Sequence, residues 1–316
     1  MTLYDLPAPA KLNLFLHVVG QRADGYHLLQ SVFRLIDLSD VLTVELRRDG
    51  VISRSSDLQD QIQDQDDLVV KAAKRLQQAS ATRLGAHIAV TKRIPMGGGL
   101  GGGSSDAATV LIALNRLWQT GLNRAALAQI GLGLGADVPF FVGGDSAFVQ
   151  GVGEQLTPLA LGAASYVVVK PAIAVPTQGV FAAPDLTRDT EPVKMSDFSG
   201  CSRFVGTTSH LAGVNRSNQA NGGFGRNDLE PVVKRMFPVV RKAMDWVVEQ
   251  GLQVRMSGSG SCFFAELDSP EQAQLARANL IAKMRDVNQS GGEALIEEVF
   301  ACDGLQMHPL RHWVDD

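Results

Sequence analysis

Cysteine is scarce in this sequence. Cys201, Cys262 and Cys302 are the only three among 316 residues. An odd count with no C-x-x-C spacing argues against a disulfide framework or a cysteine zinc site, and fits a reducing compartment. Positive excess is absent too: 29 lysines and arginines stand against 33 aspartates and glutamates, a formal net charge of −4. Proteins that bind nucleic acid or membranes over a broad surface carry clustered positive charge, so an anionic ligand here must be attracted by local groups. No run approaches the roughly 18 to 20 apolar residues that span a bilayer. The start, MTLYDLPAPAKLNLFLHVV, lacks a basic leader and is interrupted by Lys11, so it does not read as a signal peptide. These absences lead to the expectation of a soluble, cytoplasmic protein with neither nucleic acid nor membrane as partner.

What is present is a globular composition, 45% hydrophobic and 20% charged. At about 150 residues per domain, the length predicts two domains. A change in texture near residues 155–165 divides them as 1–160 and 161–316. Lys11 to Val19 reads as a strand, followed by a turn at Gln21–Gly25, and Val41 to Leu46 as a second strand. Ser53 to Asp67 has too little apolar surface to be core. Leu68 to Gln78 has helical spacing and Ala86 to Val90 reads as a strand. Ala107, Val110, Leu111, Leu114 and Trp118 then recur at i, i+3, i+4, i+7 and i+11, the mark of an amphipathic helix. A further helix is expected from Asn123, a cap-type residue, to Leu134. Tyr166 to Lys170 should be a buried strand, and Pro231–Gln250 and Ser269–Met284 helices. Gly200 to Gly225 reads as a long mobile loop.

The main chemical signal is PMGGGLGGGSSDAA, residues 95–108, with six glycines in the seven positions 97–103. Such a run is entropically costly and calls for a reason. Backbone N–H groups without side chains can approach phosphate oxygens, and a helix opening near Ser104 adds its positive end. Gly97, Gly99 and Gly102 satisfy G-x-G-x-x-G, but the region about 20 residues on is helical and lacks the carboxylate of a dinucleotide site. The P-loop needs Lys directly after its last glycine, where Ser104 stands. This is therefore a phosphate loop of another type. Its cationic help must come from elsewhere, with Lys11 and Lys92 as candidates.

Three segments together resemble the motifs of the GHMP small-molecule kinases: PAPAKLNLFLHV near the start, PMGGGLGGGSSDAA, and MSGSGSCFFA at 256–265. QRADGYHLLQSVF (21–33), GADVPFF (135–141) and NDLEPVV (227–233) are similar to members acting on a cytidine diphosphate-linked methylerythritol. The resemblance implies an α+β protein with a first domain like ribosomal protein S5 domain 2 and a ferredoxin-like second domain. It implies transfer of the ATP γ-phosphoryl group, with Mg2+, to the 2-hydroxyl of that small molecule in isoprenoid precursor synthesis. Kinases of homoserine, mevalonate or a sugar, and an inactive nucleotide-binding protein, remain alternatives, and either a monomer or a homodimer is compatible.

By the same resemblance Asp137 is the catalytic base and Lys11 its active-site partner. Asn13, two residues along the same strand face, would bind the acceptor polyol. Tyr26 and Phe181 would stack on the cytosine and His27 would hydrogen-bond its edge. The ATP phosphates would lie along Pro95, Met96, Gly97, Gly98, Gly99, Leu100, Gly101, Gly102, Gly103, Ser104 and Ser105, with Lys92 near the nucleotide and Ser105 a possible metal ligand. Asp67 stands where the family usually has Asn near adenine, which puts that contact in doubt. The segment 257–261 is expected to shape the cleft between domains. His308 and His312 have a metal-like spacing but flank Pro309 near the C-terminus and read as solvated tail. Cys262 reads as a packing residue.

Overall fold

The structure is a computed structural model, and it describes residues 1–56, 67–194, 225–289 and 294–316. Its first half is organised by two long antiparallel strands, β1 (Thr2–Gln21) and β2 (His27–Arg47), joined by the turn at 22–26. Gly25 closes that turn at a φ of +89°, open to glycine without strain. β1 pairs along one edge of β2. The other edge is shared: residues 41–47 pair with β4 (Gly85–Thr91) and residues 31–33 with β5 (Ala147–Gln150). β3 (Ile52–Ser56) lies parallel to β4, and β6 (Gln155–Pro158) pairs with β5. The strand expected at 41–46 is thus only the end of β2, and Ser53–Ser56 belongs to the sheet rather than to a polar loop.

Helices α1 (Leu68–Ser80), α2 (Gly102–Trp118), α3 (Arg124–Leu132) and α4 (Val138–Gly143) follow. α2 is buried around most of its circumference, with Ala107, Val110, Leu111 and Leu114 fully inside. Its alanines and leucines therefore serve several neighbours at once. The helix expected from Asn123 begins as anticipated, with the Asn123 side chain accepting from Ala126 N, but ends at Leu132 rather than Leu134.

The second half forms an antiparallel sheet in the order β10 (Ile296–Asp303), β7 (Ser165–Pro171), β9 (Phe263–Leu267) and β8 (Arg255–Met256). Around it stand α5 (Thr177–Phe181), α6 (Glu230–Met236), α7 (Pro238–Glu249) and α8 (Pro270–Gln289). The single helix expected over 231–250 is two helices. Phe237 leaves helical dihedrals, and Pro238, which has no N–H to contribute, opens the second one.

The run Tyr166–Lys170 is apolar because both faces of β7 are covered. Val167 and Val169 pack with α6 and α7, whereas Tyr166 and Val168 join Leu12, Leu14, Val32 and Phe264 in a core shared by the two sheets. That shared core holds the halves together and leaves a cleft between them. The expected loop at 200–225 falls, up to residue 224, outside the described residues. The C-terminal segment is not solvated tail as expected: His308 is buried, its N–H bonds Gly144 O and its Nδ1 accepts from Leu310 N. Among the described residues no helix is long and apolar enough to cross a membrane.

Candidate active site

The glycine segment folds as a tight loop leading into α2. Gly99 lies at a φ of +75°, and a Cβ there would come within 2.3 Å of the Ser257 carbonyl oxygen. A Cβ at Gly98 would lie 2.5 Å from Cys262 Sγ. The loop is bare because segment 257–262 presses against it. Hydrogen bonds lock the two together, from Cys262 N to Gly98 O (3.1 Å) and from Ser257 Oγ to Gly99 O (3.2 Å). Gly101 at a φ of +75° is the N-cap of α2, which has no side-chain cap and no acidic residue in its first turn. The first intrahelical bond is Ser105 N to Gly101 O. The N–H groups of residues 102–104 therefore have no acceptor within the helix, an arrangement suited to an anion.

Beside this helix start, residues 126 positions apart in sequence converge. Lys11 leaves β1 with its backbone N–H on Leu100 O, so strand and glycine loop are fastened at that point. Its ammonium donates to Asn13 Oδ1 at 2.5 Å, lies 4.5 Å from the Phe33 ring centroid and reaches Asp137 Oδ2 at 3.6 Å. Asn13 in turn donates to Ser31 Oγ at 3.0 Å, so its amide is oriented from both ends. Asp137 occupies the N-cap of α4, in the connection from α3 to α4. Its side chain makes no cap bond. A carboxylate that could satisfy its own helix instead faces Lys11, with 30% of its side chain exposed. The cleft of about 230 Å³ is lined by Lys11, Asn13 and Asp137 on one side and by Thr177, Phe181, Gly258 and Ser259 on the other.

Against Phe181, which lines the cleft, lies His27, with ring centroids 5.2 Å apart and planes tilted by 34°. His27 Nε2 accepts from Arg188 Nε at 3.0 Å. Burial, and secondarily the Arg188 charge, lower the His27 pKa below the ordinary histidine value. Tyr26 projects from the turn, 65% exposed.

Several side chains expected at the nucleotide are engaged by the protein itself. Lys92 is held between Asp40 and Asp106 (2.7 Å to the latter), almost completely buried. Burial opposes its charge, yet the two carboxylates raise its pKa. For Asp106 burial outweighs the ion pair and pushes its pKa up. Lys92 therefore braces the underside of the loop, where Asp40 also accepts from Arg93 N and Ile94 N. Ser105 is fully buried with its hydroxyl on Pro9 O at 2.7 Å, so it does not face the cleft as a metal ligand would. Leu100 points into the shared core. Asp67 caps α1 through Val69 N and pairs with Arg54 at 2.6 Å, and so is tied into the structure. Cys262 is a packing residue as expected, its thiol pushed up to about 12 by burial. Among the described residues no group of three or more His, Cys, Asp or Glu is placed to hold a metal ion.

Sequence reasoning missed the Thr177–Ser259 hydroxyl pair (2.7 Å), Arg188 and the fastening role of Asn227. Asn227 donates to Met256 O (2.8 Å) and Gly258 O (2.7 Å), which anchors the segment facing the glycine loop. Its neighbour Asp228 accepts from Val18 N at 2.8 Å and pins β1 to the second half. An Asn-Asp pair opening a helix was the available signal.

Comparison with known proteins agrees with this geometry. Residues 67–145 match the GHMP kinases N terminal domain and residues 210–286 the GHMP kinases C terminal domain. The chain is 55% identical over 316 residues to a 4-diphosphocytidyl-2-C-methyl-D-erythritol kinase of Bordetella bronchiseptica, covering 99% of each chain. It is 49% identical to the same-named protein of Aromatoleum aromaticum, covering 99% of this chain and 97% of that one. A crystal structure of 4-(cytidine 5'-diphospho)-2C-methyl-D-erythritol kinase superposes with a TM-score of 0.71 at 33% identity, over 96% of this chain and 99% of that one. A homoserine kinase from Cytophaga hutchinsonii shares the fold, with a TM-score of 0.64 at 15% identity, over 97% of this chain and 95% of that one. With an uncapped helix behind a glycine loop, a lysine–aspartate pair in the adjoining cleft and relatives matching it nearly end to end, the chain belongs to the GHMP kinase family.

Proposed function

We propose that the chain transfers the γ-phosphoryl group of ATP to the 2-hydroxyl of 4-diphosphocytidyl-2-C-methyl-D-erythritol, a step in isoprenoid precursor synthesis. The observation that carries this reading is the Lys11–Asp137 approach at 3.6 Å beside the uncapped start of α2. Phosphoryl transfer asks a protein mainly for positioning and charge stabilisation. In this reading the N–H groups of residues 102–104 and the bare loop 97–99 grip the phosphates. The acceptor hydroxyl lies between Lys11 and Asp137, oriented by Asn13. As its oxygen bonds to the γ-phosphorus, the bond to the β,γ-bridging oxygen breaks and the hydroxyl proton passes to Asp137. General-base assistance of this kind contributes typically about 100- to 10,000-fold. Lys11 carries a fixed positive charge next to the developing phosphate charge. The polyol chain runs past Thr177 and Ser259, and the base lies toward Phe181 and His27, with Tyr26 free to close over it.

Magnesium is implied by the chemistry, but the carboxylates described do not cluster into a cage. The ion would be held largely by phosphate oxygens and water, as Mg2+ commonly is, and no step here is routed through it. An organisation as domains 1–160 and 161–316 is part of the same proposal. It is supported by the two separate sheets and by the placement of the cleft between them.

A coupled ADP-release assay with the cytidine substrate tests the function. Turnover that depends on both ATP and that substrate is expected. A folded protein with no turnover, or one equally active on homoserine or mevalonate, would overturn it.

A further inference from the structure

We propose that Arg188 is a positioning residue that sets the tautomer of His27 and thereby makes it a reader of cytosine as against uracil. The proposal deepens the reading above and rests on it, since His27 must meet the base. A guanidinium can only donate hydrogen bonds, and it stays protonated in proteins. The 3.0 Å bond from Arg188 Nε therefore requires His27 Nε2 to be the bare, accepting nitrogen. The ring is also biased against carrying a second proton, first by burial and then by the neighbouring guanidinium charge. A neutral ring with Nε2 unprotonated carries its one proton on Nδ1.

Arg188 cannot readily swing away to release this constraint. Its Nη1 donates to Leu186 O at 3.0 Å, and its Nη2 donates to Ala183 O at 2.8 Å and Phe181 O at 3.2 Å. The guanidinium is thus held on three backbone carbonyls of the segment that also presents Phe181. His27 is held from the other side as well, because its ring rests on Phe181 at 5.2 Å between centroids. That spacing is a single ring-to-ring contact and leaves no room for a base between them. His27 accordingly offers a substrate its edge rather than its face, and the edge carries one N–H donor.

A lone fixed donor is selective. Cytosine presents two acceptors, O2 and N3, on the edge it offers, whereas uracil carries a proton on N3. A donor aimed at N3 bonds the first and opposes the second. A site built for one hydrogen-bond polarity rejects the wrong partner because its own buried polar group is then left unpaired. Without Arg188 the ring could exchange tautomers and accept either base.

The decisive measurement is ¹⁵N NMR of the His27 ring in the ligand-free full-length protein, which distinguishes a protonated Nδ1 from a protonated Nε2. The expected result is the Nδ1–H form in the wild type and a shift toward Nε2–H in Arg188→Met. In steady-state kinetics the wild type should prefer the cytidine substrate over its uridine analogue by about tenfold or more in kcat/KM. In Arg188→Met that ratio should collapse toward one, mainly through KM for the acceptor, with KM for ATP unchanged. A merely structural arginine would weaken both acceptors in parallel. An Nε2–H ring in the wild type, or an unchanged cytidine-to-uridine ratio in the variant, would overturn the proposal. Absence of turnover by the wild type would overturn the proposed function instead, which the ring measurement on ligand-free protein does not touch. If Arg188→Met fails to fold, Arg188→Lys, which keeps the charge without the planar fork, makes the same comparison, and an Nε2–H ring in the wild type still overturns the proposal.

Discussion

Two lysines flank the same helix start and meet opposite fates. Lys92 is locked between Asp40 and Asp106, with its side chain 9% exposed and those of its partners no more than 4% exposed. Lys11 touches its carboxylate only at 3.6 Å, and that carboxylate, Asp137, is open to the cleft. The first set has its charges satisfied by protein and holds the loop's shape. The second has bonding capacity left for a substrate oxygen. A short, closed ion cluster is architecture, and a loose one with an open side is chemistry. Reasoning from the glycine loop offered both lysines as cationic help for the phosphates; family resemblance set Lys11 beside Asp137, and the geometry ties Lys92 into the protein.

The sharpest way to break this contrast is to remove each cation. Lys92→Met strands two buried carboxylates and should cost about 3–5 kcal/mol of stability in urea denaturation. Lys11→Met leaves Asp137 able to hydrate and should cost about 1 kcal/mol or less, while activity collapses. Equal stability losses would erase the distinction. Next, Asp137→Asn should lower turnover at least about 100-fold, roughly 2.7 kcal/mol in the barrier, with KM for ATP little changed. Near-normal steady-state rates would remove Asp137 as the base.

Acidification gives a third, smaller test, because the closed ion cluster is not where acid sensitivity should reside. Burial lowers the His308 pKa to about 4 from an ordinary value of 6.5. Between those values the unfolded chain binds more protons than the native one. His308 therefore contributes stability that is present above pH 6.5 and is lost as the pH falls toward 4, about 3 kcal/mol in size. His308→Gln should flatten the dependence of urea stability on pH in that window. An unchanged slope would place acid sensitivity elsewhere. The mildest effect concerns the end of the cleft proposed to take the base, where Phe181→Ala should raise KM for the cytidine substrate about tenfold. KM for ATP should stay as it was, and an unchanged acceptor KM would defeat the stacking role.

Helical segments were legible in the sequence because apolar residues recur at helical spacing, even in α2, which is buried around most of its circumference. α1 and α2 were placed within a few residues by their apolar spacing. The first part of β2 was not, since Gln30, Ser31 and Arg34 are buried among its apolar residues and no alternation survives. The break between α6 and α7 was hidden because apolar spacing continues across Phe237. Within the site, the glycine run by itself raised the expectation of an anion loop, whereas pairing Lys11 with Asp137 needed family resemblance, as nothing in either local sequence points to the other. Arg188 was invisible for a further reason. Apart from His27, its partners are backbone carbonyls, which every residue possesses and no motif records.

Gly98 and Gly99 lack side chains because residues from the last fifth of the chain occupy that space. The proposed grip on the triphosphate is thus half written near residue 100 and completed near residue 260. During synthesis the emerging polypeptide holds an unfinished grip until that later stretch leaves the ribosome. A product cut short before it would have every conspicuous motif residue of the loop and nothing to press the loop into shape.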